Sequence, residues 1–457
     1  MRVQGVLTVV AEIATERASS LVELLAELDR AMSGDALPSY DCAGEPTLVG
    51  KATKPIVDFP SLSTVHFARF AVLGANAAGK RHLLFSSAYD GPRASHLAEL
   101  VERAGEGLDA VFAHCVGYGA GAPRSALVPY LEANAVKYGA MHVGYVGRCV
   151  SDVQQEEALR RHVGRVLDER KLSTLPSPEL PARAIRSEII RLVAEGEYRW
   201  ALEPRAASIA PRSVEGWWKT GVVAALAVAG LAGSLVGAFA LGFGIPYVLL
   251  LGGAAAVVVV VLRHHEDTEP AKTDTDVSGD ALANAEDEDF GITNQLTHVV
   301  AIKPGAFRMA VLRVVLFAIE LRARFEFYKG DLGGIETIHC AHWAILDKAE
   351  PRLLFCSNYD GSWERYLGDF IEEAGAGMTA VWSNTVNYPR SKLLVEEGAK
   401  NERVFKAWTR DHQVRTDVWY RANPDISCRN LNDNSRLRDG LRGYMSEADA
   451  RAWLRYL

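Results

Sequence analysis

Leu353-Leu354-Phe355-Cys356-Ser357-Asn358-Tyr359-Asp360-Gly361 decides how the chain is read, because Leu83-Leu84-Phe85-Ser86-Ser87-Ala88-Tyr89-Asp90-Gly91 precedes it as an earlier copy. Each copy is an apolar run closing on Tyr-Asp-Gly, the pattern of a strand that ends at a turn. Matches spread outward from both copies in one order. Thr64 to Leu73 (TVHFARFAVL) aligns with Thr337 to Leu346 (TIHCAHWAIL), setting His66 on His339, Arg69 on His342 and Phe70 on Trp343. Leu7-Thr8 recurs as Leu296-Thr297, Ala-Gly-x-Gly at 104–107 recurs at 374–377, and Pro-Arg-Ser at 123–125 recurs at 389–391. His142-Val143-Gly144-Tyr145 is matched, approximately, to Asp417-Val418-Trp419-Tyr420. So many ordered matches mean an internal duplication.

Around the first copy, the apolar periodicity predicts a strand at 5–13, a helix at 16–32, strands at 64–73 and 82–88, a helix at 93–104 and a strand at 108–115. That order, β-α-β-β-α-β, is the ferredoxin-like unit. A helix near 124–137 and a strand near 140–147 extend it, and helices at 152–170 and 182–196 follow. The second copy repeats the order, with a helix at 306–327, another at 363–374 and a strand at 378–384. Each unit leaves one sheet face uncovered, so the expected fold class is α+β: two tandem ferredoxin-like units packed sheet on sheet as a pseudodimeric α+β barrel.

Between the copies, Thr220 to Leu262 carries no charged residue. About 20 apolar residues cross a bilayer, so this run is long enough for two spans, 219–241 and 245–262, broken at Gly242-Phe243-Gly244-Ile245-Pro246. Trp217, Trp218 and Tyr247 stand where interfacial aromatics belong, and Arg205, Arg212, Lys219 and Arg263 flank the outer ends. The positive-inside tendency then sets both termini in the cytoplasm, at the inner (cytoplasmic) membrane. Without intramembrane charge, the spans argue against a transporter or channel. Residues 264–289 are acidic and poor in large apolar residues, as in a disordered tether. The expected division is a first unit at 1–150, a helical connector at 151–216, the transmembrane hairpin at 217–263, the acidic disordered linker at 264–292, and a second unit with a C-terminal extension at 293–457.

A net charge of −7 over 457 residues supplies no basic field for nucleic acid. Six cysteines without a CxxC pair make neither a disulfide framework nor a zinc site. Met1 to Gln4 leads into a strand pattern and not into a signal-peptide core. Gly74 to Arg81 (GANAAGKR) departs from a phosphate-binding loop, since Arg81 stands in the hydroxyl position and a strand follows where a helix should.

Asp90 and Asp360 close a strand just before a helix, where an aspartate either caps orphan N–H groups or serves as an acid/base at a cleft. His66 and His339 recur inside apolar strands, as hydrogen-bonded core residues or as functional ones. Arg69 and His342 lie on the opposite strand face and differ in chemistry, as expected if one half alone keeps a site. His342, His412, Arg390 and Asn384 make the second copy the richer candidate. No histidine pair has a helical metal-ligand spacing such as HExxH, so no metal site is expected.

With two ferredoxin-like halves in one chain, the protein resembles the dimeric α+β barrel superfamily, and dye-decolorising peroxidases within it. Asn358-Tyr359-Asp360-Gly361 echoes part of that family's GxxDG signature, lacking the first glycine. The resemblance implies a peroxidase- or monooxygenase-like oxidoreductase with haem as cofactor. Asp360 is then the acid/base, His339 or His342 the ligand or proton carrier, Arg390 the oxyanion partner, and Asn384 a further cofactor contact. The run from Leu353 through Trp363 also resembles bacterial membrane-anchored proteins, a likeness that implies no activity. Two expectations result. One is a membrane-anchored, cytoplasm-facing oxidoreductase acting on a small lipophilic molecule. The other is a non-catalytic ligand-binding or scaffold protein tethered to membrane lipid. Either allows a homo-oligomer.

Overall fold

The structure, a computed structural model, describes residues 4–33, 39–40, 46–47, 57–119, 121–169, 180–204, 234, 240, 242–279, 281, 288, 291–325, 332, 334–347 and 349–457. In the first repeat β1 (Gln4–Glu12), α1 (Ala18–Ser33), β2 (Val65–Leu73), β3 (His82–Asp90) and α2 (Arg93–Phe112) follow one another. α3 (Leu127–Ala133), β4 (Ala135–Val136) and β5 (Tyr138–Val143) complete it. Then come α4 (Val150–Glu169), α5 (Ala182–Glu195) and the apolar α6 (Gly244–Thr268). The second repeat holds β6 (Thr293–Ala301), α7 (Ala306–Phe325), β7 (Ile338–Leu346), β8 (Arg352–Asp360) and α8 (Trp363–Trp382). A short hairpin of β9 (Ser391–Lys392) and β10 (Glu396–Glu397) leads to α9 (Glu402–Asp411), β11 (Val418–Arg421), α10 (Cys428–Asp439) and α11 (Glu447–Trp453).

The two repeats exchange strands. One antiparallel sheet has the order β11-β2-β3-β1-β4 and the other β5-β7-β8-β6, so the last strand of each repeat sits in the other's sheet. A three-stranded sheet would leave β2 or β7 as an open edge with unpaired N–H and C=O groups, and the exchanged strand covers it. His142 pairs with Ala341 as Tyr420 pairs with Ala68. The structural counterpart of His142 is therefore Tyr420 and not Asp417, a shift of the expected alignment.

Two expected strands are helical. α2 runs unbroken to Phe112 and α8 to Trp382, so 108–115 and 378–384 do not supply the fourth strand. Leu97, Leu100, Ala104, Leu108 and Val111 keep a helical spacing straight through Ala-Gly-x-Gly and are all buried. Two glycines weaken a helix by about 1 kcal/mol each, which that buried stripe overrides.

Each repeat has its own core between sheet and helices, and an apolar layer separates the sheets. A further core joins the connector to the C-terminal extension, with Leu159, Val163, Ile185 and Ile189 against Leu437, Leu441 and Trp453.

Among the described residues, α6 is the one helix long and apolar enough to cross a membrane. The expected first span, 219–241, lies outside them except for Ser234 and Ala240. Where the described residues resume, Gly242 takes φ +79° and α6 begins two residues later. The acidic stretch 264–292 departs from a disordered tether wherever it is described. α6 continues through Thr268, and its acidic end is held by charge on the second repeat. Glu269 meets Arg308 at 2.5 Å and Lys303 at 2.9 Å. Glu266 is buried and accepts the backbone N–H groups of Leu393 and Leu394 at 2.9 and 2.7 Å. Further along, Lys272 pairs with Asp411, and Glu288 with Arg410. Composition alone suggests a solvated tether, but these carboxylates have basic partners waiting on the turn after β6, on α7 and on α9.

Candidate functional site

The repeated Asp-Gly corner and the repeated strand histidine come together twice. In the first repeat, the His66 imidazole donates to Asp90 Oδ1 at 2.9 Å, while Asp90 Oδ2 accepts the Val150 N–H at 2.9 Å. In the second, His339 donates to Asp360 Oδ1 at 2.7 Å and Asp360 Oδ2 accepts the Cys428 N–H at 2.6 Å. Val150 and Cys428 open α4 and α10, so each aspartate satisfies an orphan N–H at the N-terminus of a helix, where negative charge is also favoured. The capped helix is the one after the exchanged strand, not the one directly following the aspartate. α8 has its own cap, Ser362. Tyr145 lies between the pairs, its ring 5.2 Å from His66 and 5.9 Å from His339. Burial pushes the Tyr145 hydroxyl well above the ordinary tyrosine range.

Arg69 and His342 lie between the sheets and perform reciprocal tasks. Arg69 reaches across to β6 and β8, donating to Leu296 O, Thr297 Oγ1, Gln295 Oε1, Ser357 O and Asn358 Oδ1 at 2.6–3.1 Å. His342 reaches the other way and shares a hydrogen bond with Thr8 on β1 at 3.1 Å. Thr8 and Thr297 are themselves counterparts in the repeat, so each half sends one side chain to the same threonine of the other. Burial, then the Arg69 charge, pushes His342 down to about 3, so it is neutral at pH 7. The two residues form a polar belt within an apolar layer, with both terminal nitrogens of Arg69 donating to oxygens.

The remaining expected site residues do not converge with these. Arg390 lies at the end of α6, its guanidinium 3.4 Å from the Asp267 carbonyl. Asn384 donates to the carbonyls of Ala380 and Val381 and so caps the C-terminal end of α8. His339 and His342 occupy opposite faces of β7, each with its Nε2 already engaged. A haem needs a histidine with a free ring nitrogen facing a large cavity, and these residues do not fit that group.

The space lies elsewhere. A cavity of about 210 Å³ sits between α7, α8 and β7, lined by Ile319, Leu332, Trp343, Phe370, Ala374 and Met378, with Arg322 and Glu373 also on its wall. The buried indole N–H of Trp343 has no hydrogen-bond partner. In the first repeat, the corresponding groove is plugged by Phe59, whose ring lies 6.0 Å from Phe70 and 6.4 Å from Phe85. Phe370 and Met378 also line a neighbouring void of about 10 Å³, room for one water, beside His298. His298 is enclosed by Trp382 at 4.7 Å and Trp408 at 4.9 Å, and neither ring nitrogen has a hydrogen-bond partner. Burial holds it well below the ordinary histidine range.

Sequence reasoning singled out Trp343 only as the match of Phe70, and passed over His298 and Glu266. A histidine in the run Leu296 to Lys303, where the first copy has valine, was the available signal for His298. No protein-family model, curated protein or solved structure matches the chain.

Proposed function

We propose that the protein is a membrane-tethered, non-catalytic binding protein for a small lipophilic molecule, taken into the cavity between α7, α8 and β7. One observation carries the reading. The histidine–aspartate pairs are spent on helix-capping contacts that both repeats share, whereas the cavity lies in the second repeat, where the first has Phe59 packed beside Phe70. An apolar cavity of about 150 Å³ already accepts a benzene-sized guest, so this one holds a ring or a length of acyl chain. Around this site the chain is a pseudodimeric α+β barrel, anchored by a two-span hairpin with both globular halves in the cytoplasm. The hairpin is supported by Ser234 Oγ lying 2.6 Å from the Tyr247 hydroxyl across the Gly242 break.

Acetophenone and ethylbenzene, similar in size and differing in a carbonyl, are suitable probes. In thermal unfolding of the full chain in nanodiscs, both should raise the Tm. Ala374→Phe, which fills the cavity, should abolish both shifts. Equal shifts in wild type and Ala374→Phe would place any binding elsewhere and end the proposal.

A further inference from the structure

We infer that the outer face of α7 and the tip of the β9–β10 hairpin lie in the interfacial layer of the same membrane that α6 crosses, a conclusion that rests on the membrane-spanning reading of α6. α7 is apolar on two sides. Its inner residues Leu312 and Leu316 are buried in the second core, while Ala310, Val314, Phe317, Ala318, Leu321 and Phe325 form a continuous outward stripe at helical spacing. Val314 is 67% exposed and Phe325 51%. Arg313 borders one edge of this stripe and Arg322 the other, both exposed, the arrangement of a helix that lies in a membrane surface with its cations among the headgroups. The counterpart α1 turns Ser19, Ser20, Glu23, Glu27 and Arg30 outward instead, so the duplicated fold does not require the stripe.

The contacts at the end of α6 set the level. The first turn of α7 is clamped there by Arg308 on Glu269 and by Phe307 stacked on His265 at 5.2 Å. Arg308 and Lys303 overcome burial and hold the Glu269 carboxyl down to about 2, so the clamp keeps its charge at neutral pH. At 1.5 Å per residue, Glu269 lies about 9 Å beyond Arg263 and Glu266 about 5 Å beyond it. The interfacial zone of one leaflet is about 5–8 Å deep, and a tilted span shortens these heights further. The hairpin tip is at the lower level. Leu393 and Leu394 take φ +50° and +70°, an unfavourable conformation for leucine, and thereby aim both N–H groups at Glu266. That leaves Leu393 and Val395 exposed beside the membrane helix, with Lys392 next to them. The proposed occupant of the stripe is lipid and not a second copy of the chain, because the clamp fixes α7 to the helix that is itself in lipid. The cavity lies on the other side of α7, one helix diameter of about 10 Å from the acyl region, which gives a lipophilic ligand a short route.

Photocrosslinking of the full chain in nanodiscs of mixed neutral and anionic phospholipid tests this. The photoreactive p-benzoylphenylalanine replaces Phe317, Val395, Val258 on α6, or Val22 on α1, one at a time. Lipid adducts should form at Val258, Phe317 and Val395 and be lost at Val22. Adducts at Val258 without adducts at Phe317 and Val395 would overturn the inference while leaving the tether intact. Absence of lipid adducts at Val258 would overturn the tether itself. Chain-to-chain crosslinks at Phe317 would assign the stripe to a second copy and contradict the lipid assignment.

Discussion

The two repeats share a framework down to single hydrogen bonds and differ in what surrounds it. Both have a strand histidine on a corner aspartate, both aspartates receive the first N–H of a distant helix, and both give their last strand away. The first repeat is closed. Phe59 fills the space beside Phe70 and Phe85, and α1 turns a polar face outward. The second repeat is open beside Trp343, apolar on its outer helix and fastened to α6. Features that persist in both copies maintain the fold, and features confined to one copy are where a function can have been added.

The interlayer belt offers the largest test of that contrast. Arg69→Met removes five donated hydrogen bonds and strands their acceptors, so it should lower stability by about 3–5 kcal/mol in urea unfolding. His342→Leu, at the counterpart position, removes one neutral hydrogen bond and should lose about 1 kcal/mol. Equal losses would mean that the belt is not asymmetric in the way the contacts indicate.

The cavity gives the next contrast. Ala104→Phe forces a ring into a filled core and should lose about 1–3 kcal/mol. Ala374→Phe, its counterpart, should be neutral or stabilising in the same unfolding measurement. A comparable loss at both positions would mean that the second groove is closed as tightly as the first.

The corner aspartates should behave alike. Asp90→Asn and Asp360→Asn each weaken a helix-capping contact and a histidine hydrogen bond, with an expected loss of about 1–2 kcal/mol apiece. A stability loss in one and none in the other, read by chemical unfolding, would separate their roles.

The smallest effect is a pH dependence. His96 shares a hydrogen bond with Ser87 and stacks on Tyr89 at 4.0 Å, as Tyr366 stacks on Tyr359 at 3.8 Å in the second repeat. Burial pushes His96 down to about 4 from an ordinary 6.5. The unfolded chain therefore binds more protons between those values, and stability must fall as pH drops through that window. His96→Tyr installs the second repeat's residue and should flatten this decline by up to about 1.4 kcal/mol per pH unit. His342 continues to contribute a decline of the same sign in both proteins. An unchanged slope would show that His96 is not buried neutral.

The duplication, the paired strands and the aligned histidines were legible in the sequence because each is carried by local pattern. Strand exchange was not legible. β5 and β11 are short strands whose alternation suits either sheet edge, and the choice between edges is made by the whole fold. The helices expected at 93–104 and 363–374 extend to Phe112 and Trp382, because the buried apolar spacing runs on through Ala-Gly-x-Gly. The acidic stretch after α6 looked solvated because composition does not reveal Lys303 and Arg308 opposite Glu269. Among the described residues the cavity has no plug like Phe59, a matter of packing that the residues near Trp343 do not announce. The site residues were legible as repeated positions, His66 matching His339 and Asp90 matching Asp360, and the contact of each histidine with its aspartate was not. Their shared structural task became visible only when Val150 and Cys428 were found at the other carboxylate oxygen.

The account stands on the claim that the open groove of the second repeat, and not the repeated His–Asp pairs, binds the ligand. Calorimetric titration of acetophenone into wild type, Ala374→Phe and His339→Gln, each as full chain in nanodiscs, tests it most directly. Binding should survive in His339→Gln, which keeps a donor to Asp360, and vanish in Ala374→Phe. Binding that survives in Ala374→Phe and vanishes in His339→Gln would contradict the account and return the function to the paired histidines.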